Sequence, residues 1–266
     1  MKIIDLIKQL IWGEQELKIQ VLKKQIVDLK EEETQYINLI LNLREYKQAA
    51  EKAVEEKKEA KFWNNKWPRS DITYACRYHP RSKRILEIDV KEFITTNSSQ
   101  LKHIVTKYKL RGNNHDETAR NCLSWVIKYI KYRGDFENTK KAEFWQFPFE
   151  TLAIREGDCE DGAILLNSLM ATAGIPANRR KDNAGWVVNP SDSTKKAGHV
   201  CVIYRRISDE QWIILDWCYW PNKTLPIGAF KTHKESLKYL DTWWTFNEEY
   251  AWTQKNFVIT ENKLNG

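Results

Sequence analysis

The chain has 266 residues, of which 42% are apolar and 30% charged, with a formal net charge of +7. This composition supports a globular core and excludes collagen-like, low-complexity and disordered chains. No apolar run reaches the ~18 residues that span a bilayer, and five cysteines are too sparse, and odd in number, for a disulfide scaffold.

The apolar residues of the N-terminus are interrupted by Asp5, Lys8 and Gln9, and no small-x-small cleavage site follows. The segment therefore reads as an amphipathic helix over residues 2–12 rather than a signal peptide, ending at Gly13. The expected setting is cytoplasmic, with thiols reduced. Residues 14–62 contain no Gly and no Pro and are rich in helix formers. Ile19, Leu22, Ile26, Leu29, Glu33, Tyr36, Ile40, Leu43, Lys47, Ala50 and Val54 fall at alternating a and d positions of a heptad frame, and nine of these eleven are apolar. That pattern predicts a coiled-coil helix that joins a second copy or a partner helix. An intramolecular hairpin, or a helix lying on the following domain, fits the same periodicity. Trp63, Trp67 and Pro68 mark a change of character, so the chain divides into a helical segment, 1–62, and a mixed domain, 63–266.

Residues 1–62 balance twelve basic against twelve acidic side chains, so the positive excess lies on 63–266. With no zinc-finger spacing and no RNP-type aromatic motif, this bias reads as a basic surface, the RYHPRSKR stretch of Arg77–Arg84 included, and nucleic acid is not an expected partner. Helices are predicted over 98–109, 116–132 and 160–173. In the second, Ala119, Cys122, Leu123, Val126, Ile127 and Ile130 share one face at 3.6-residue spacing. The third stops at Gly174 and Pro176. Residues 198–205 and 211–217 read as the two strands of a hairpin turning through Ile207–Gln211.

Three short segments carry chemistry: Gly157–Gly162 (GDCEDG), Gly198-His199-Val200 and Ile214–Trp217 (ILDW). Cys159 stands where a loop becomes a helix, and the positive end of a helix favours a thiolate. His199 begins one strand of the hairpin and Asp216 ends the other, so antiparallel pairing sets imidazole and carboxylate side by side. Cys159, His199 and Asp216 are the expected nucleophile, base and orienting acid. Asp158, Glu160 and Asp161 crowd the nucleophile with negative charge, which raises a thiol pKa unless that charge is neutralised. His199, Cys201 and Cys218 make a metal site conceivable, but no C-x-x-C pair supports one. Trp217, Trp220, Trp243, Trp244 and Trp252 suit core packing or the wall of a substrate groove.

The run Glu143–Leu152 (EFWQFPFETL), followed by GDCEDGAILLNSLMATAGIPA, resembles the transglutaminase-like superfamily, in particular its bacterial and phage-encoded cysteine peptidases. The resemblance covers roughly residues 100–220. It implies an α+β, papain-like core, with the nucleophile helix packed on an antiparallel sheet. It also implies a thiol hydrolase or acyltransferase acting on peptide or side-chain amides through a thioester, with a protein or peptide substrate and no obligatory cofactor. By analogy with papain-like enzymes, Gln146 or Trp145 becomes a candidate second oxyanion donor beside the Cys159 N–H. In one periplasmic branch, acidic residues at the positions of Asp158 and Glu160 bind calcium. In this chain the favoured reading makes Asp158 an N-cap and Glu160 and Asp161 a first-turn complement to the helix dipole. A competing reading makes the core a scaffold within an assembly, a virion if the chain is phage-encoded, since the N-terminal helix and the tail from Pro221 lie outside the resemblance.

Overall fold

The computed structural model describes residues 3–67, 69–78, 85–223, 225–233 and 235–254. The chain divides into two units, residues 1–55 and 56–266. Residues 79–84, most of the RYHPRSKR stretch, lie outside the described residues, as does the tail from 255.

Helix α1 is continuous over Ile3–Lys66. Gly13 does not break it. An interior glycine costs a helix only ~1 kcal/mol against alanine, and the sequence offers no proline to stop it. The helix also passes the expected end at residue 62. Its last turn holds Trp63, which is 3% exposed and packs with Ile203 and Trp252. Between Ile19 and Val54 the apolar side chains of α1 stand in solvent.

A hairpin of β1 (Thr73–Tyr78) and β2 (Ile85–Asp89) precedes helices α2 (Ser99–Lys107) and α3 (His115–Tyr129). Ser98 and Asn114 cap these helices, each accepting a backbone N–H of the first turn. Strand β3 (Lys131–Tyr132) and helices α4 (Asp135–Thr139) and α5 (Pro148–Ile154) follow. Strand β4 (Glu156–Gly157) pairs in parallel with β3 and leads directly into α6 (Cys159–Thr172). The Glu143–Leu152 run is thus the approach to α5 and α5 itself. Arg77 secures it, donating twice to the Glu150 carboxylate, at 2.7 and 2.8 Å, and once to the Trp145 carbonyl.

The main sheet is antiparallel, in the order β7-β6-β5-β8-β9, with β5 (Arg180–Asn189) at its centre. The others are β6 (Asp192–Arg205), β7 (Trp212–Leu215), β8 (Trp244–Phe246) and β9 (Ala251–Thr253). Alternation divides the faces. Val200, Val202, Tyr204, Ile213 and Leu215 join the core that buries α6 and α3, while Ile203, Trp212 and Ile214 face Trp63 and Trp67. On that second face the Lys181 ammonium lies 5.4, 5.0 and 4.6 Å from the ring centres of Trp63, Trp212 and Trp252, a desolvated cation–π contact. The helix over 159–172 and the turn of the β6–β7 hairpin fall where the sequence places them, but β6 starts at Asp192, so His199 lies inside its strand rather than at the start, and β7 stops at Leu215, one residue before Asp216. Trp244 and Trp252 serve packing, as strand residues of β8 and β9. Among the described residues no helix is long and apolar enough to cross a membrane.

Candidate active site

Asp158 ends the approach to α6 with extended backbone, which leaves Cys159 as the first helical residue. The first backbone N–H groups of a helix have no partner within it, so the Cys159 N–H is available to an anion. Trp217 fixes this end: its Nε1 donates to the Cys159 carbonyl at 3.0 Å. The indole lies so close to α6 that a Cβ on Gly162 would come within 2.0 Å of it. The residue after Asp216 is therefore in contact with the nucleophile's own turn.

His199 and Asp216 meet just beyond the β6–β7 ladder, whose last pair is Val202–Leu215. His199 Nε2 lies 2.8 Å from Asp216 Oδ2, and both side chains are almost fully buried. The Tyr239 hydroxyl donates to the same oxygen at 2.5 Å, and the backbone N–H groups of Cys218 and Tyr219 donate to Oδ1 at 3.0 and 3.1 Å. Burial alone would push this carboxyl up. The nearby imidazole and these donors outweigh it, and Asp216 sits below the usual carboxylate range. The Tyr219 ring stacks on the imidazole, 4.1 Å between centres and 11° between planes. His199 is thus fixed on one nitrogen and one face, and its Nδ1 is buried with no hydrogen-bond partner among the described residues.

The thiol–imidazole hydrogen bond is not made. The Cys159 thiol donates instead to Glu160 Oε2 at 3.2 Å, with the N–H of Val200, next in chain after His199, directed at the sulfur. Burial and the charge of Asp158 push the thiol well above its ordinary pKa. Gln146 is also committed elsewhere. Its backbone N–H and its Nε2 donate to Asp161 Oδ1 and Oδ2 at 2.7 and 2.6 Å, so the amide expected near an oxyanion is held by a carboxylate. Trp145 Nε1 donates to Glu143. Asp161 also accepts the Asp158 N–H, so it closes the helix start as a first-turn acid does.

The acidic cluster is larger than the sequence suggested. Asp135 and Glu143 join Asp158, Glu160 and Asp161, with overlapping sets of three whose oxygens lie within 4.8 Å of one another. Burial raises all five carboxyls, and the charge of Asp158 adds to it for the other four, taking Asp135 to about 8 and Glu143 to about 7. Asp135 Oδ1, Asp158 Oδ1 and Glu160 Oε1 are buried without a hydrogen-bond partner among the described residues. Orphaned buried carboxylate oxygens crowded together are what a hard divalent cation satisfies, and the all-oxygen donor set suits calcium. His199, Asp216 and Cys218 also offer ligand atoms within 4.8 Å of one another, without Cys201, but the first two already bond each other. Cys122, Cys159, Cys201 and Cys218 are free thiols.

Tyr219, Tyr239, Asp135 and Glu143 are the site residues that sequence reasoning did not single out. Tyr219 was within reach, three residues past Asp216. Tyr239, Asp135 and Glu143 have no spacing signal and depend on tertiary return of the chain.

An α+β core with a cysteine at a helix start and a His–Asp pair on an adjoining hairpin defines a class, and the comparisons name it. The transglutaminase-like domain family matches residues 99–241, and the chain belongs to that family. Among solved structures it is similar to LapG of Legionella pneumophila in an EGTA-treated form, at 15% identity, TM-score 0.46, covering 60% of this chain and 88% of that one. The calcium-bound form of that protein matches at 17% identity and TM-score 0.40, over 61% and 91%. A candidate cysteine protease from Cytophaga hutchinsonii matches at 20% identity and TM-score 0.35, over 53% and 45%. No curated protein matches the chain.

Proposed function

We propose that the chain is a thiol hydrolase or acyltransferase that opens peptide or side-chain amides of a protein or peptide substrate. The observation that carries this reading is the buried His199–Asp216 pair, which leaves one imidazole nitrogen unpartnered beside the helix start that bears Cys159. Rotation of the thiol away from Glu160 lets it give its proton to His199 Nδ1. The sulfur then attacks the substrate carbonyl, with the Cys159 N–H as the first oxyanion donor. When the intermediate collapses, the C–N bond breaks, the proton on Nδ1 passes to the leaving amine, and a thioester remains. Water or a second amine, deprotonated by His199, resolves it. Asp216 stabilises the imidazolium throughout.

Asp158 and Glu160, with Asp135 and Glu143, are the residues that would hold calcium. A bound cation there supplies positive charge that offsets the carboxylates now raising the thiol pKa. Residues 14–62 act as an association helix, a reading favoured by the apolar side chains of α1 that stand in solvent.

Iodoacetamide labelling followed by peptide mapping tests the catalytic reading. Cys159 is expected to react ahead of Cys122, Cys201 and Cys218, and His199→Ala to slow it by at least about tenfold. A Cys159 that stays unlabelled in the folded chain, or reacts equally fast without His199, overturns the proposal.

A further inference from the structure

In the heptad frame of α1, Ile19, Ile26, Ile40 and Val54 occupy a positions and Leu22, Leu29 and Leu43 d positions, all of them exposed. Glu33 and Lys47 are the two charged a residues. β-Branched residues at a with leucine at d favour two strands in parallel pairs. The charges nevertheless oppose the parallel arrangement. In register it sets Glu33 against Glu33, Lys47 against Lys47, and Lys18 at g against Lys23 at e, all like pairs.

We propose that α1 pairs with α1 of a second copy running in the opposite direction, with the two-fold axis beside Asn38. Reversal brings a positions of one helix next to d positions of the other. About this axis Leu22 meets Val54, Ile26 meets Ala50 and Tyr36 meets Ile40. Glu33 then lies about one turn, ~6 Å along the axis, from Lys47 of the second copy. Among the described residues Lys47 makes a loose 3.8 Å contact with Glu51 of its own helix. Lys23 comes opposite Glu51. The apolar flanks Ile37 and Leu39, 49% and 53% exposed, meet their own counterparts at the centre. A one-directional seam leaves those two side chains in solvent beside charged neighbours. Lys30 against Arg44 is the one like pair of this register, on the flank, where long side chains turn outward. Charge at the seam and its edges thus selects direction, and the apolar belt over 36–43 selects register.

This inference rests on reading residues 14–62 as an association helix, and the experiment separates the two. In the full chain a spin-labelled unnatural amino acid replaces Lys24, an outward f position, and sedimentation equilibrium with pulsed dipolar EPR follows. The expected result is a dimer with labels about 45–50 Å apart, because position 24 lies level with position 52 of the second copy, ~42 Å along the axis at ~1.5 Å per residue, and the outward f positions stand about 20–25 Å apart across the pair. Lys47→Glu is expected to weaken the dimer about tenfold or more, and the double variant Glu33→Lys/Lys47→Glu to restore it. A parallel pair gives a label distance of about 20–30 Å, the width of two helices side by side, and no response to either variant; that result, or a larger oligomer, overturns the antiparallel assignment alone. A monomeric chain overturns it together with the association reading of residues 14–62.

Discussion

Replacing Gly162 by alanine tests the packing that ties the nucleophile's helix to the Asp216 segment. The new Cβ would lie 2.0, 2.3 and 2.5 Å from Trp217 Cε2, Nε1 and Cζ2, inside any tolerable contact. Either the indole or the first turn of α6 must shift, and the 3.0 Å bond from Trp217 Nε1 to the Cys159 carbonyl is lost with it. Overpacking a core position costs ~1–3 kcal/mol, and leaving that buried pair unmade costs ~1 kcal/mol more. Alanine returns ~1 kcal/mol of helix propensity. The net destabilisation is about 2 kcal/mol, a fall of ~4–8 °C in Tm for a unit of this size. Differential scanning calorimetry measures it, with Gly228→Ala as the control, since a Cβ there meets nothing within 4 Å. Iodoacetamide labelling of Cys159 should slow in the same variant. A Tm equal to or above that of the parent protein would refute the reasoning, because it would show that Trp217 yields without cost.

Calcium at 100 times its Kd should stabilise the fold by ~2.7 kcal/mol, read as a rise in Tm that EGTA reverses and that Asp158→Asn/Glu160→Gln abolishes; no shift at millimolar calcium argues against the site. Tyr239→Phe removes one donor from Asp216, so its carboxyl rises, the acid limb of the kcat/KM profile moves to higher pH, and activity falls about fivefold for the ~1 kcal/mol lost. An unchanged profile would leave Tyr239 a packing residue. Burial pushes Asp182 up to about 8 despite its bond from Asn167, so the folded chain holds a proton there that the unfolded chain releases near pH 4. That contribution makes stability fall as pH rises between about 4 and 8. Asp182→Asn should flatten the slope in denaturant titrations across that range, and a slope that persists would assign it to other groups.

What could be read from the sequence follows from how local each cause is. Helices α3 and α6 announce themselves through a 3.6-residue apolar period and a Gly-Pro stop. The β6–β7 hairpin does so through β-rich runs either side of a polar turn, which places His199 and Asp216 at the same end of it. The central strand β5 is silent because it opens Arg-Lys-Asp-Asn, which reads as a surface loop. Each of those side chains is buried against a partner remote in sequence: Arg180 on Glu248, Lys181 among Trp63, Trp212 and Trp252, Asp182 on Asn167, and Asn183 on Thr242. The direction of the Cys159 thiol was likewise invisible. It follows the Glu160 carboxylate, which itself lies beside Asp135 and Glu143, two residues that no spacing rule connects to it.

Gly185 shows how far the demands of such a site extend. It sits directly across from His199 in the β5–β6 ladder, and its bare α-carbon lets the returning chain press on the sheet, so that a Cβ there would overlap the Asp241 carbonyl. That return is what delivers Tyr239 to Asp216, with Leu240 and Asp241 bonding the Trp186 carbonyl on the way. A genetic screen for inactive alleles would therefore recover lesions at a position that never meets a reacting atom, and a map of the centre restricted to touching side chains would misfile them as folding defects.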